Sequence, residues 1–170
     1  MTEQRRTGRM SKLERQFVRE LEDVYASQDE MSFDDLVKAF EAVETKHVKL
    51  ETEPFLILET RRRVAENMLM AATGKRCPYE ICRAQLDNLF QLGFTDLGMK
   101  TAMFIGFARY CRATRRFREG IELLEPLVDE LQSVLNRGGL TRNEREYYIH
   151  NLNCTEVVLN KLRESTNLAT

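Results

Sequence analysis

Apolar positions recur along nearly the whole chain at the spacing of one helical face. Leu13, Phe17, Leu21, Val24 and Tyr25 form the first such stripe and predict a helix over about 11–25. Ser11, with Glu14 three residues on, has the form of a capping box at its start. Phe33, Leu36, Val37, Phe40 and Val43 form a second stripe opening at Ser32. Asp34 and Asp35 fall in its first turn, where the helix dipole favours negative charge. The polar run 47–53 reads as a loop. A third helix opens at Pro54, a residue suited to the first turn, carries Leu58, Val64, Ala65, Met68 and Leu69, and stops at Gly74 as its C-cap. A fourth runs from Pro78 to Gly93 with Ile81, Cys82, Leu86, Leu89 and Phe90. A fifth, capped by Thr95 or Asp96, reaches Ala113 through Met103, Phe104, Phe107, Ala108 and Cys111. A sixth spans 117–136 and closes at Gly138 and Gly139. Pro126 within it lacks an N–H and is expected to kink or split it. A seventh opens at Thr141 and Glu144, a second capping box, and runs to about Glu164. No stretch reads as a strand. The expected fold is all-α, about seven helices in antiparallel pairs, stacked as a short solenoid or a bundle. The expected organisation is a flexible tail at 1–10, one helical domain at 11–164 with repeat-like helix pairs at 54–136, and a flexible tail at 165–170.

Two of these helices share a pattern. Tyr79, Cys82, Leu86 and Leu89 recur as Phe117, Gly120, Leu124 and Leu127, an offset of 38. Stacked helix pairs produce such a period, and two unrelated amphipathic helices can align in the same way. The second unit resembles a tetratricopeptide repeat. Phe104, the pair Phe107 and Ala108, Phe117, Gly120, Leu124 and Leu127 stand at that family's large, large–small and aromatic–small positions. Cys111 stands where the family usually has tyrosine and Arg115 where it usually has glycine; the first unit matches in its second helix only. A tighter likeness covers residues 71–80. Ala71, Ala72, Thr73, Gly74, Cys77 and Glu80 resemble the small–Thr-Gly-x-x-Cys-x-x-Glu stretch of tetratricopeptide-like chaperones that hold the needle subunit of type III secretion systems. This chain carries about fifty more residues before that stretch than those chaperones do.

The resemblance implies a groove, lined by the first helix of a pair, that takes a partner's peptide or helix. Carried onto this chain, the groove positions are Ala102, Ile105, Arg109, Arg112 and Ala113. An apolar floor with two arginines suits an amphipathic helix bearing carboxylates. In the alternative arrangement Ile105 packs on the first helix and closes the groove into a bundle. Those chaperones also work beside a helical-hairpin co-chaperone, whose place the sixth and seventh helices would take here.

Composition narrows the function classes. A chain of 170 residues fits one domain. At that size about 70% of the unfolded surface is buried, which makes a core without staples. Three prolines and eight glycines are too few for a turn-rich β-sandwich. A net charge of −1 lowers the prospect of nucleic acid or acidic lipid as the main partner. Residues 1–16 lack the apolar run of a signal peptide, and the longest apolar run near the middle, 55–58, is far short of a membrane span. A cytoplasmic protein without a membrane partner is expected, with Cys77, Cys82, Cys111 and Cys154 reduced and mostly buried.

Candidate chemistry is sparse. Cys77 and Cys82, five positions apart, form with Cys111, His150 and Cys154 a conceivable zinc set. The simpler expectation is that Cys77 caps a helix, Cys82 and Cys111 fill small core positions, and His150 is exposed. His47 and His150 are the two histidines, neither in a nucleophile motif, so neither enzyme activity nor a cofactor is expected. Arginines gather at Arg61, Arg62 and Arg63, and again at Arg109, Arg112, Arg115, Arg116 and Arg118. Two functions stay open: a protein-binding module, alone or as a homo- or hetero-dimer, and a nucleic-acid-linked regulator using the arginines.

Overall fold

Side-chain caps decide where most of the helices begin. In a computed structural model, which describes residues 11–168, Ser11, Ser32, Asp96 and Thr141 each accept a hydrogen bond from the backbone N–H three residues on. At Ser11 and Thr141 the glutamate at that position returns the bond, which completes both capping boxes. The helices are α1 (Lys12–Ala26), α2 (Phe33–Leu50), α3 (Pro54–Gly74), α4 (Tyr79–Leu92), α5 (Leu97–Ala113), α6 (Phe117–Asn136) and α7 (Arg142–Asn167). Among the described residues there is no strand, and the chain is all-α as expected.

Four expectations change. Residues 47–50 are not loop, because α2 continues through them with His47 buried in the core. Pro126 does not split α6; it lies exposed, so water can satisfy the carbonyl its ring leaves unbonded. Gly74 is the last helical residue of α3, and the left-handed turn falls two residues later, on Arg76 at φ 54°. Residues 165–167 continue α7, where the hydroxyls of Ser165 and Thr166 donate to the carbonyls of Lys161 and Leu162. The tail expected at 1–10 lies outside the described residues, as do residues 169 and 170.

Short connections return most helices against their predecessors; α5 instead packs mainly on α3, α6 and α7. Arg61 of α3 reaches Glu44 late in α2, and Arg62 donates to the carbonyl of Leu92 at the end of α4. Lys100 at the start of α5 pairs with Glu130 late in α6, and Arg163 late in α7 pairs with Glu125 of α6. These contacts make successive helices antiparallel. The odd-numbered helices also pack on one another in turn, α1 on α3, α3 on α5 and α5 on α7. They form one layer, and α2, α4 and α6 lie against it as a second.

Helix α3 is apolar on two adjacent stripes and so serves two cores. Val64, Met68 and Ala71 close a cluster with Phe17, Leu21, Leu36, Phe40 and Val43 of α1 and α2. Ala65, Leu69 and Ala72 close a larger one with α4–α7, in which Cys82, Leu86, Leu89, Leu124, Leu127 and Leu131 lose all solvent contact. Between α4 and α5 the filling is aromatic: Tyr79 meets Phe107 and Phe90 meets Phe104, at ring-centroid distances of 6.2 and 5.7 Å. Between α6 and α7 the approach is closer. A Cβ added at Gly120 would lie 3.0 Å from Leu162 Cδ1, so only glycine lets the helices meet without displacement.

Candidate functional site

The face expected to bind a partner lies on α5. Nearly every other position of that helix is buried, from Gly98 through Met103, Phe104 and Phe107 to Cys111, because α3, α6 and α7 all pack on it. Ala102, Arg109, Arg112 and Ala113 are exposed. Ile105 is not: it is 9% exposed and belongs to the larger core, which contains no residue of α1. Half-buried Gly106 lies in that stripe instead, four residues after Ala102 and three before Arg109. A methyl group there would meet nothing within 4 Å. The stripe is thus small-residued, open and bounded by guanidinium groups.

The arginine clusters separate. All three members of the first are engaged: Arg61 with Glu44 at 3.5 Å, Arg63 with Glu59 at 3.1 Å, and Arg62 with the Leu92 carbonyl at 2.7 Å. In the second, Arg116 lies 3.8 Å from the Tyr79 ring centroid and near Glu119, and Arg118 pairs with Glu122. Arg109, Arg112 and Arg115 have no ion-pair partner among the described residues, and neither do Lys75 and Arg76.

Lys75, Arg76, Arg112 and Arg115 sit at two turns of the same build, and Arg109 lies about one helical turn before the second. After α3, the N–H of Cys77 bonds to the carbonyl of Ala72 and that of Arg76 to Thr73. After α5, the N–H of Arg116 bonds to Cys111 and that of Arg115 to Arg112. Each is a Schellman turn with its left-handed residue an arginine, Arg76 at φ 54° and Arg115 at φ 60°. Glycine is the usual occupant, because a side chain there crowds the following carbonyl. The buried positions that follow also correspond: Cys82 with Gly120, Leu86 with Leu124, Leu89 with Leu127.

Burial pushes the Cys82 thiol up to about 11 and the Cys111 thiol up to about 12, so both stay protonated and weakly nucleophilic at neutral pH. Tyr110 donates to the Cys77 carbonyl at 2.7 Å and joins α5 to the start of α4. Cys154 Sγ lies 3.5 Å from His150 Nε2, one turn apart on α7. Among the described residues no three side chains of His, Cys, Asp or Glu gather as a metal site. His47 stacks edge-on against Phe17 and holds Glu20 Oε2 at 3.1 Å, beside a cavity of about 40 Å³ lined by Leu13, Leu56, Thr60 and Arg63. That is space for a water rather than a substrate. Glu66 is 1% exposed and accepts two hydrogen bonds from Thr95, one from its N–H at 2.9 Å and one from its hydroxyl at 3.1 Å. Burial raises its carboxyl above the usual range.

Sequence reasoning placed the arginines of the second cluster but not Lys75 and Arg76 beside them. The signal was present as charge without compensation: residues 97–118 carry Lys100 and five arginines and no acidic residue. No helix among the described residues is long and apolar enough to cross a membrane. No family model, curated protein or solved structure matches this chain.

Proposed function

We propose that this chain is a protein-binding helical module whose exposed α5 face takes an amphipathic helix or extended segment of a partner. The observation that carries the reading is the stripe of Ala102, Gly106, Arg109 and Ala113. It lies on a helix mostly packed elsewhere, with arginines that have no ion-pair partner among the described residues. Small residues let another backbone approach closely, and guanidinium groups without an ion-pair partner favour an anionic one, here the carboxylates of an amphipathic segment. Binding of this kind keeps a self-associating segment monomeric by mass action. The tetratricopeptide-like pattern and the likeness of residues 71–80 to needle-subunit chaperones favour a cytoplasmic chaperone or adaptor of bacterial type III secretion. The partner is then a second, small helical protein. No catalytic role is proposed, since the buried thiols are held protonated and His47 is engaged with Glu20.

Tagged protein drawn from its native host, followed by mass spectrometry, tests this. The expected result is one small helical protein in near-equal amount, lost from the Arg109→Glu/Arg112→Glu variant. Equal recovery by both forms would remove the α5 face from the account. Salt-sensitive retention on duplex DNA, with no protein recovered, would replace the reading by a nucleic-acid-linked regulator.

A further inference from the structure

The two Schellman turns supply more than a chain reversal. Helices α3 and α5 pack on each other, and the Tyr110 hydroxyl near the end of α5 reaches the Cys77 carbonyl in the turn after α3 at 2.7 Å; since packed helices lie roughly 8–10 Å apart, the two turns sit side by side. Lys75, Arg112 and Arg109 extend the same charge along the rim and onto the α5 face. No acidic residue occurs between Glu66 and Glu80 or between Asp96 and Glu119; the carboxylates that do face the two turns are Asp34 of α2, which acts on the Cys77 thiol, and Glu119, which acts on Cys111 and lies near Arg116.

Helix dipoles account for a cation at each C-terminal end, and Lys75 and Arg112 already meet that need. They do not account for an arginine held left-handed at both turns, where glycine would relieve the backbone. We infer that the rim formed by Lys75, Arg76, Arg112 and Arg115 is a docking line for an acidic polypeptide segment, whose carboxylates bridge the two turns. The inference rests on the proposed protein-binding role and adds the partner's charge pattern to it. Carboxylates seven residues apart on a helix are separated by about 10.5 Å, which matches one helix spacing. Such a segment enters the α5 face by way of Arg109. Nucleic acid fits the rim less well. The ring beside it, Tyr79, is already covered by Arg116, which leaves no open platform for base stacking.

The test uses a fluorescein-labelled helical peptide with glutamates seven residues apart and reads its anisotropy against the full chain. Three variants are compared: Arg76→Gly/Arg115→Gly, Ala102→Arg on the α5 face, and Arg19→Glu on α1 as control. Glycine suits both turns, so the double variant is expected to melt a few degrees higher while binding the peptide roughly tenfold more weakly, with a shallower salt dependence. Arg19→Glu should leave binding unchanged. If the double variant binds as the parent does, or melts lower, the arginines serve the fold alone and the rim is overturned. Loss on Ala102→Arg with no loss on the double variant would keep the α5 face and overturn the rim. No binding by the parent would remove both. A single-stranded oligonucleotide that binds more tightly than the peptide would assign the rim to nucleic acid instead.

Discussion

The two cores that share α3 are closed in different ways. The smaller, between α1, α2 and α3, is flanked by charge: Glu20 takes Lys46 and His47, and Glu44 takes Arg61. The larger, between α3 and α7, is closed by shape, through rings between α4 and α5 and close approach at Gly120. The smaller unit therefore adds a part-buried titratable pair, His47 with Glu20, to its apolar packing, whereas the pairs on the larger, Lys100 with Glu130 and Arg163 with Glu125, are more exposed. The largest expected effects test the division directly. Phe107→Ala and Phe40→Ala each remove a fully buried ring and should cost about 3–5 kcal/mol in chemical denaturation. Their patterns should differ. Phe40→Ala is expected to strip hydrogen-exchange protection from α1 and α2 while α5–α7 keep theirs. Phe107→Ala should lower protection throughout, because α5 supports the second half and, through α3, the first. Simultaneous loss in both variants would show that the two cores fold as a single cooperative unit.

Acid should separate them next. The hydrogen bond from Lys46 holds the Glu20 carboxyl down at about 2. A folded-state value below the unfolded one gives stability that is present above about 4.5 and lost as the pH falls through 2. Glu66 runs the other way. Burial raises its carboxyl, so its contribution is full below the unfolded value and is lost as the pH rises through the raised folded one. Glu44, raised by its own burial, offsets part of the Glu20 effect on α2. Between pH 5 and 2 the α1–α2 pair should thus weaken relative to the rest, read as earlier broadening of its amide resonances. Lys46→Met should reduce that difference. Glu66→Gln keeps an acceptor for the Thr95 N–H without a charge; it should exceed the parent in stability near pH 7 and match it near pH 4. A parent-like melting temperature at both pH values would show that the buried carboxylate carries no penalty.

The legible parts of this fold were those coded locally. Ser11, Ser32 and Thr141 announce helix starts because the cap and its partner lie three residues apart. His47 was read as loop because what buries it is remote: Phe17 and Glu20 lie some 27 to 30 residues earlier and appear in no local pattern. Ile105 falls at a groove position only through the tetratricopeptide resemblance; in this chain α5 packs on three sides, which buries it. The face that stays open then centres on Gly106, which carries no side chain for a pattern to register. Arg76 is illegible for a related reason, whereas Arg115 stands where the tetratricopeptide pattern has glycine. A left-handed turn is legible from glycine, and here the glycine nearest the first turn, Gly74, remains helical.

Gly106 gives the smallest effect. In a helix interior glycine is less stable than alanine by about 0.5–1 kcal/mol, because its backbone loses more freedom on folding. At most buried glycines steric contact explains the choice, as Leu162 does at Gly120. At Gly106 a methyl group would meet nothing within 4 Å among the described residues, so no contact there calls for glycine. Gly106→Ala should therefore stabilise α5 and, with it, the larger core, widening the protection gap over α1 and α2. If the α5 face receives a closely approaching partner, the same methyl should weaken that binding several-fold while the free protein gains stability. A gain in stability with unchanged partner affinity would mean that the partner stands off from the α5 backbone, and that Arg109 and Arg112 alone make the contact.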